Sequence, residues 1–205
     1  KNAEKLNTEF KKFFNNESLK YKSYVLKNDN SDKISKLRAL LDTHHISYGS
    51  CNKGTVKGYD YSSQKEGKME VDKNDLVINT NQPKGKIIKA LFEPNPKLSD
   101  SLTYDITAWS LPYAHGIKAI ASKTKVATNG FSKLTEAKIK VEGKAYAYLS
   151  KWNSINDAKF LSALIKNNIR VRFSEEGFKI SGKKFSRGSL IILRADNQEI
   201  ESFDA

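Results

Sequence analysis

Residues 21–51 read YKSYVLKNDNSDKISKLRALLDTHHISYGSC, and three elements can be cut from them. Residues 21–26 predict a strand, and Asn28-Asp29-Asn30-Ser31 predicts a turn. Ser31 or Asp32 can cap a helix whose apolar positions are Ile34, Leu37, Leu40 and Leu41, spaced for one face of a 3.6-residue period. His44 and His45 close that helix, where donor side chains suit the last carbonyls. Residues 46–51 then predict a second strand. Working outward, 52–58 reads as a turn region and 59–62 as extended. Glu66-Gly67 turns the chain into Met69, Val71 and the run Leu76-Val77-Ile78.

The same grammar returns after residue 143. Residues 145–150 predict a strand, Asn153-Ser154 a turn with a cap, and Ala158, Phe160, Leu161, Leu164 and Ile165 a helical stripe. Strands follow at 169–173, 178–180 and 190–193, with Ser181-Gly182 turning between them. At an offset of 123, Leu26 falls on Leu149, Leu37 on Phe160, Leu41 on Leu164 and Ile46 on Ile169. At an offset of 114, Leu76-Val77-Ile78 falls on Leu190-Ile191-Ile192. Two copies are too few for a solenoid. The expectation is an α/β fold, with two similar βαβ-plus-hairpin halves around one shared mixed sheet. Its parts are an N-terminal helix or linker (1–20), a first half (21–80), a central connecting segment (81–143) and a second half (144–205).

The N-terminal helix carries Leu6, Phe10, Phe13 and Phe14 on one stripe, which faces either a core or a joint to something upstream. In the central segment Pro83, Pro94 and Pro96 interrupt regular structure. Asp100 or Ser101 can cap a helix through Leu102, Ile106, Trp109 and Tyr113. Pro112 kinks or ends that helix, and Gly116 suits the position past its end.

Composition excludes several classes. A chain of 205 residues with 38% hydrophobic residues can build a core, and no run is long and apolar enough for a membrane span. The chain opens at Lys1 without an apolar signal stretch, which reads as a processed or excised piece. The single cysteine, Cys51, excludes an internal disulfide and a cysteine-rich zinc module. The net charge of +13 is spread over both halves. Only five of the 36 basic residues are arginine (Arg38, Arg170, Arg172, Arg187 and Arg194). A lysine-dominated surface is a poor reader of phosphate and guanine, so no specific nucleic acid is expected. Lys183–Arg187 mixes basic and aromatic residues, yet lacks the second aromatic platform of an RNA-recognition sheet.

Catalytic motifs are missing. G-x-S-x-G, H-E-x-x-H, H-x-x-E and phosphate-binding glycine loops do not occur. His44 and His45, about 100 degrees apart on a helix, do not chelate one ion together. No catalytic residue and no metal ligand is therefore assigned. One stretch is denser than a bland core requires: Thr103, Tyr104, Asp105, Thr107, Trp109, Tyr113 and His115 crowd polar and aromatic groups together. They form either a hydrogen-bonded structural network or an interface.

These residues also carry a resemblance. NQPK (81–84), LFEP (91–94), LSDSLTYDITAW (98–109) and LPYAHG (111–116) resemble a segment of bacterial zinc carboxypeptidase-like proteins of the carboxypeptidase A-type metallopeptidase family. The match lies downstream of their catalytic domain, and 147–152, 159–172 and 185–194 resemble its continuation. The resemblance implies a non-catalytic accessory domain of an exported protein, periplasmic or secreted, that supports the catalytic domain or substrate access. Zinc is then expected only in the parent's catalytic domain, with no cofactor in this piece. Its implied partners are that catalytic domain, in the same polypeptide, and peptide substrate. The alternative is an independent basic α/β module that binds polyanions or surfaces.

Overall fold

The structure, a computed structural model, describes residues 2–96, 110–130, 143–201 and 203. It is a mixed α/β fold with two compact units, Lys1–Leu134 and Thr135–Ala205. The expected helix through Leu102, Ile106 and Trp109 lies outside the described residues, as do Thr103, Tyr104, Asp105 and Thr107.

The first unit begins with helix α1 (Asn2–Phe14), then strand β1 (Ser23–Leu26), helix α2 (Ser31–Thr43) and the short strand β2 (Gly49–Ser50). A hairpin follows, β3 (Gly54–Asp60) and β4 (Lys65–Val71), then β5 (Leu76–Asn79), α3 (Gly85–Phe92), α4 (Leu111–His115) and β6 (Ala119–Ser122). Helix α2 is capped by Asn30, one residue before the expected Ser31. Asn30 adopts extended backbone, and its side-chain oxygen accepts from the amides of Asp32 (3.0 Å) and Lys33 (3.2 Å). Ile34, Leu37 and Leu41 point inward and are fully buried with Tyr24, Leu26 and Ile78.

Six strands form one sheet in the order β2-β5-β1-β6-β3-β4. Strands β1 and β2 both pair antiparallel with β5, so the crossover through α2 straddles a strand and makes no parallel pair. The remaining side of β1 is taken by β6 along all four residues. That strand comes from the central segment expected to be Pro-rich and helical, and it joins β1 to the β3–β4 hairpin.

The second unit has β7 (Ala147–Ser150), α5 (Ile155–Lys166), β8 (Arg172–Phe173), β9 (Phe178–Ile180), β10 (Lys183–Phe185) and β11 (Leu190–Leu193). A 3-10 turn follows at Arg194–Asn197. Ser154 and Asp157 cap α5 reciprocally, as the Asn153-Ser154 turn leads one to expect. The buried Asn197 side chain ties the turn to the sheet by accepting from Arg170 N (2.7 Å) and donating to Leu193 O (2.8 Å).

The described strands do not form the one shared mixed sheet expected of the two halves. Strands β7, β11 and β8 form a separate three-stranded sheet, and every strand pair among the described residues is antiparallel. The order β7-β11-β8 matches β1-β5-β2, and Phe173 opposite Leu190 stands where Ser50 stands opposite Leu76. Similarity stops at that order, because packing differs. No residue of α5 is buried, and Phe160, the counterpart of Leu37, is 42% exposed. The first unit covers its α2 with α3, α4 and a six-stranded sheet. Among the described residues the second unit has three short sheet strands and a hairpin, and α5 has no buried stripe.

Three further readings change. Residues 52–58 are mostly strand β3 rather than turn. Residues 85–92 form α3, which fits between Pro83 and Pro94 instead of being broken by them. Pro112 lies in the first turn of α4, where its missing amide hydrogen costs nothing, and Gly116 ends that helix at φ 58°.

Candidate functional site

Tyr113 and His115 are the expected site residues that the structure describes. Both lie on α4, against the α2–α3 side of the sheet. Tyr113 packs on Tyr61, ring centroids 5.1 Å apart, and Tyr61 packs on Tyr59 at 5.9 Å. The Tyr61 hydroxyl donates to the carbonyl of Phe92, and Phe92 in turn packs 5.5 Å from the buried Tyr24. Burial pushes the phenols of Tyr24 and Tyr61 well above their ordinary value. Burial, then the neighbouring Tyr59 phenol and the Asp60 charge, push Tyr113 up to about 12. These are neutral hydrogen-bonding groups, and the belt they form locks α3 and α4 onto the sheet.

His115 sits at the end of α4, half-buried near the start of α2. Burial and the charges of Lys33 and Lys36 hold its imidazolium below the ordinary histidine range. Lys33 Nζ also donates to Gly116 O at 3.0 Å, which fixes one of these charges beside it. A depressed histidine favours the folded chain while neutral and opposes it once protonated. Stability is therefore expected to fall as pH drops from about 6.5 through the lower folded value. His115→Gln should lose less stability than the parent between pH 7.5 and 5 in urea titrations. A larger acid loss in the variant would contradict the assignment.

The remaining chemistry-bearing groups do not converge. His44 and His45 are exposed at the end of α2. Cys51 is buried, its thiol 3.5 Å from Asp72 O, and burial with the charge of Asp75 pushes the thiol up, away from the thiolate a nucleophile needs. Among the described residues, no three His, Cys, Asp or Glu side chains stand together as metal ligands.

What the first unit does present is an apolar helix face. Every described residue of α1 is exposed, including Leu6 at 70%, Phe10 at 64% and Phe13 at 54%. Phe10 and Phe14 wall a groove of about 690 Å³ with Asn81, Gln82 and Pro83. The groove is anchored by Asn16, whose Nδ2 donates to Gln82 O at 2.7 Å. Gly85 must be glycine there, since a Cβ would lie 2.3 Å from Thr80 O and 2.4 Å from Asn16 Cγ. The core-facing reading of the α1 stripe is not met among the described residues. In the second unit Ile155, Phe160 and Ile165 of α5 are also exposed.

Sequence reasoning missed Tyr59 and Tyr61 as partners of Tyr113. Their alternation around Asp60 was visible, but the helix that would cover them lies fifty residues away. Comparison with family models, curated proteins and solved structures returns no match.

Proposed function

We propose that this chain is a non-catalytic accessory part of an exported, periplasmic or secreted, bacterial zinc carboxypeptidase-like protein. It seats against the catalytic domain of the same polypeptide and shapes access of peptide substrate. Zinc belongs to that catalytic domain. The reading is carried by the α1 face: four large apolar side chains on one exposed helix are a surface that seeks cover. The similarity of residues 98–109 to the segment beyond such catalytic domains supports the identity of the cover. The reading frame ahead of residue 1 is expected to encode an H-x-x-E zinc motif. That upstream region, expressed separately, should bind this chain, and Phe10→Asp with Phe13→Asp should weaken binding at least tenfold. Undiminished binding by the double variant would remove α1 from the interface, and an upstream frame without the motif would remove the parentage.

A second reading, a basic module for polyanions, is favoured by Lys179 standing directly across from Lys184 in the β9–β10 hairpin. Like charges in that position repel and gain from an anion between them. Steep weakening with salt would mark it, whereas an apolar interface changes little.

A further inference from the structure

We propose that the cleft between β3 and residues 122–126 is a strand-addition site for an extended peptide carrying acidic side chains. This goes beyond the docking role of α1 and does not depend on it.

The cleft arises because β3 and β6 part company. They pair only at Tyr59 with Ala121 and Asp60 with Ile120, while β3 continues to Gly54 with β4 beside it through seven residues. The closing point is Gly58, where a Cβ would lie 2.2 Å from Ala121 O. Beyond it the walls open onto a space of about 500 Å³. Tyr61 N donates to Ala119 O at 3.1 Å, so odd-numbered residues aim their main-chain groups towards β6. By strand alternation Thr55 and Lys57 aim an amide and a carbonyl each into the cleft. Among the described residues, no strand pairs with β3 at those two positions.

The opposite wall cannot slide over to satisfy them. Ser122 O accepts from Lys22 N at 2.8 Å, Val126 N donates to Ser23 Oγ at 2.8 Å, and Asn79 Nδ2 donates to Val126 O at 3.2 Å. Residues 122–126 are thereby held to β1 and β5. Main-chain groups waiting on one wall and a fixed second wall are what an added strand requires. The outer strand β4, by contrast, is guarded by Lys65, Glu66, Lys68 and Glu70, as exposed edges are.

Charge selects the occupant. Lys57 lies directly across the ladder from Lys68, an unfavourable pair in isolation. Lys123 stands at the rim, 2.6 Å from Glu66, both more than half exposed. Glu66 also lines the cleft, but its charge is taken up by Lys123, which among the described residues leaves Lys57 as the lining cation with no acid beside it in an ion pair. A carboxylate on an incoming strand would meet Lys57 and could take Lys123 over from Glu66. A basic peptide would meet Lys57 unfavourably and would have to compete with Lys123 for Glu66.

The test titrates the 15N-labelled chain with a capped six-residue peptide of alternating valine and glutamate, and with its valine–lysine counterpart. The acidic peptide should shift the Thr55 and Lys57 amides and slow their hydrogen exchange. It should bind at least tenfold more tightly than the basic one. Thr55→Pro removes a cleft-facing amide without removing a β3–β4 ladder bond, and Lys57→Glu reverses the charge with the backbone intact. Each should weaken binding at least tenfold. No binding at millimolar peptide would overturn the proposal. So would tripolyphosphate displacing the peptide with Thr55→Pro unaffected, which would leave charge alone. Concentration-dependent protection of the same amides without peptide would mean that a second copy is the occupant, and would overturn it as well.

Discussion

Leu41→Ala should lower the stability of the first unit by about 2–5 kcal/mol, while Leu164→Ala should cost the second unit well under half as much. The two leucines occupy matching places in the sequence pattern, and their surroundings differ. Leu41 is fully buried on α2, in one cluster with Ile34, Leu37, Tyr24 and Ile78, so truncation leaves a cavity that packed neighbours cannot fill. Leu164 is only partly covered, on a helix with no buried residue, and its removal exposes little that was not already wet. Residue-resolved hydrogen exchange in mild urea reads the two units separately. Equal losses would mean that α5 is packed as α2 is.

Asp75→Ala should destabilise the first unit by about 3 kcal/mol, a large effect for one side chain. Asp75 is buried at the start of β5, and its carboxylate serves three donors. Oδ2 accepts from Lys27 Nζ at 2.7 Å and from Asp72 N at 2.8 Å, and Oδ1 accepts from Asn28 N at 2.9 Å. One group thus joins the end of β1 to the β4–β5 turn. Alanine leaves the amides of Asn28 and Asp72 and a partly buried ammonium without their acceptor. Asp75→Asn keeps shape and one acceptor, and should cost less. Urea denaturation of both variants checks the order, and equal stability of Asp75→Ala and the parent would contradict it.

Legibility in the sequence followed the range of the forces involved. Helix α2 was readable because its stripe and its capping turn are local. Strands β1, β5 and β11 were readable because runs of three or four apolar or aromatic residues, Tyr24–Leu26, Leu76–Ile78 and Leu190–Leu193, have few other uses. Strand β3 was not, because Gly54 and Gly58 look like turn residues. Gly58 is there for the close approach of Ala121, sixty residues later. Helix α3 was hidden by Pro83 and Pro94, which punctuate its two ends. The α1 stripe is legible in the spacing of Leu6, Phe10, Phe13 and Phe14, but amphipathic spacing says only that a face is apolar, not which surface covers it. The site residues Tyr113 and His115 were picked out by chemical type. Their partners Tyr59, Tyr61 and Lys33 come from other elements, and no spacing along the chain encodes that meeting.

The central claim is that this chain contributes surface and leaves the bond-breaking to another domain. Its most direct test is incubation of the purified chain with zinc and a mixture of unblocked peptides at neutral pH, followed by mass spectrometry for lost C-terminal residues. The account predicts no release above a zinc-only blank. Release that requires both chain and zinc, and stops on chelation, would contradict it.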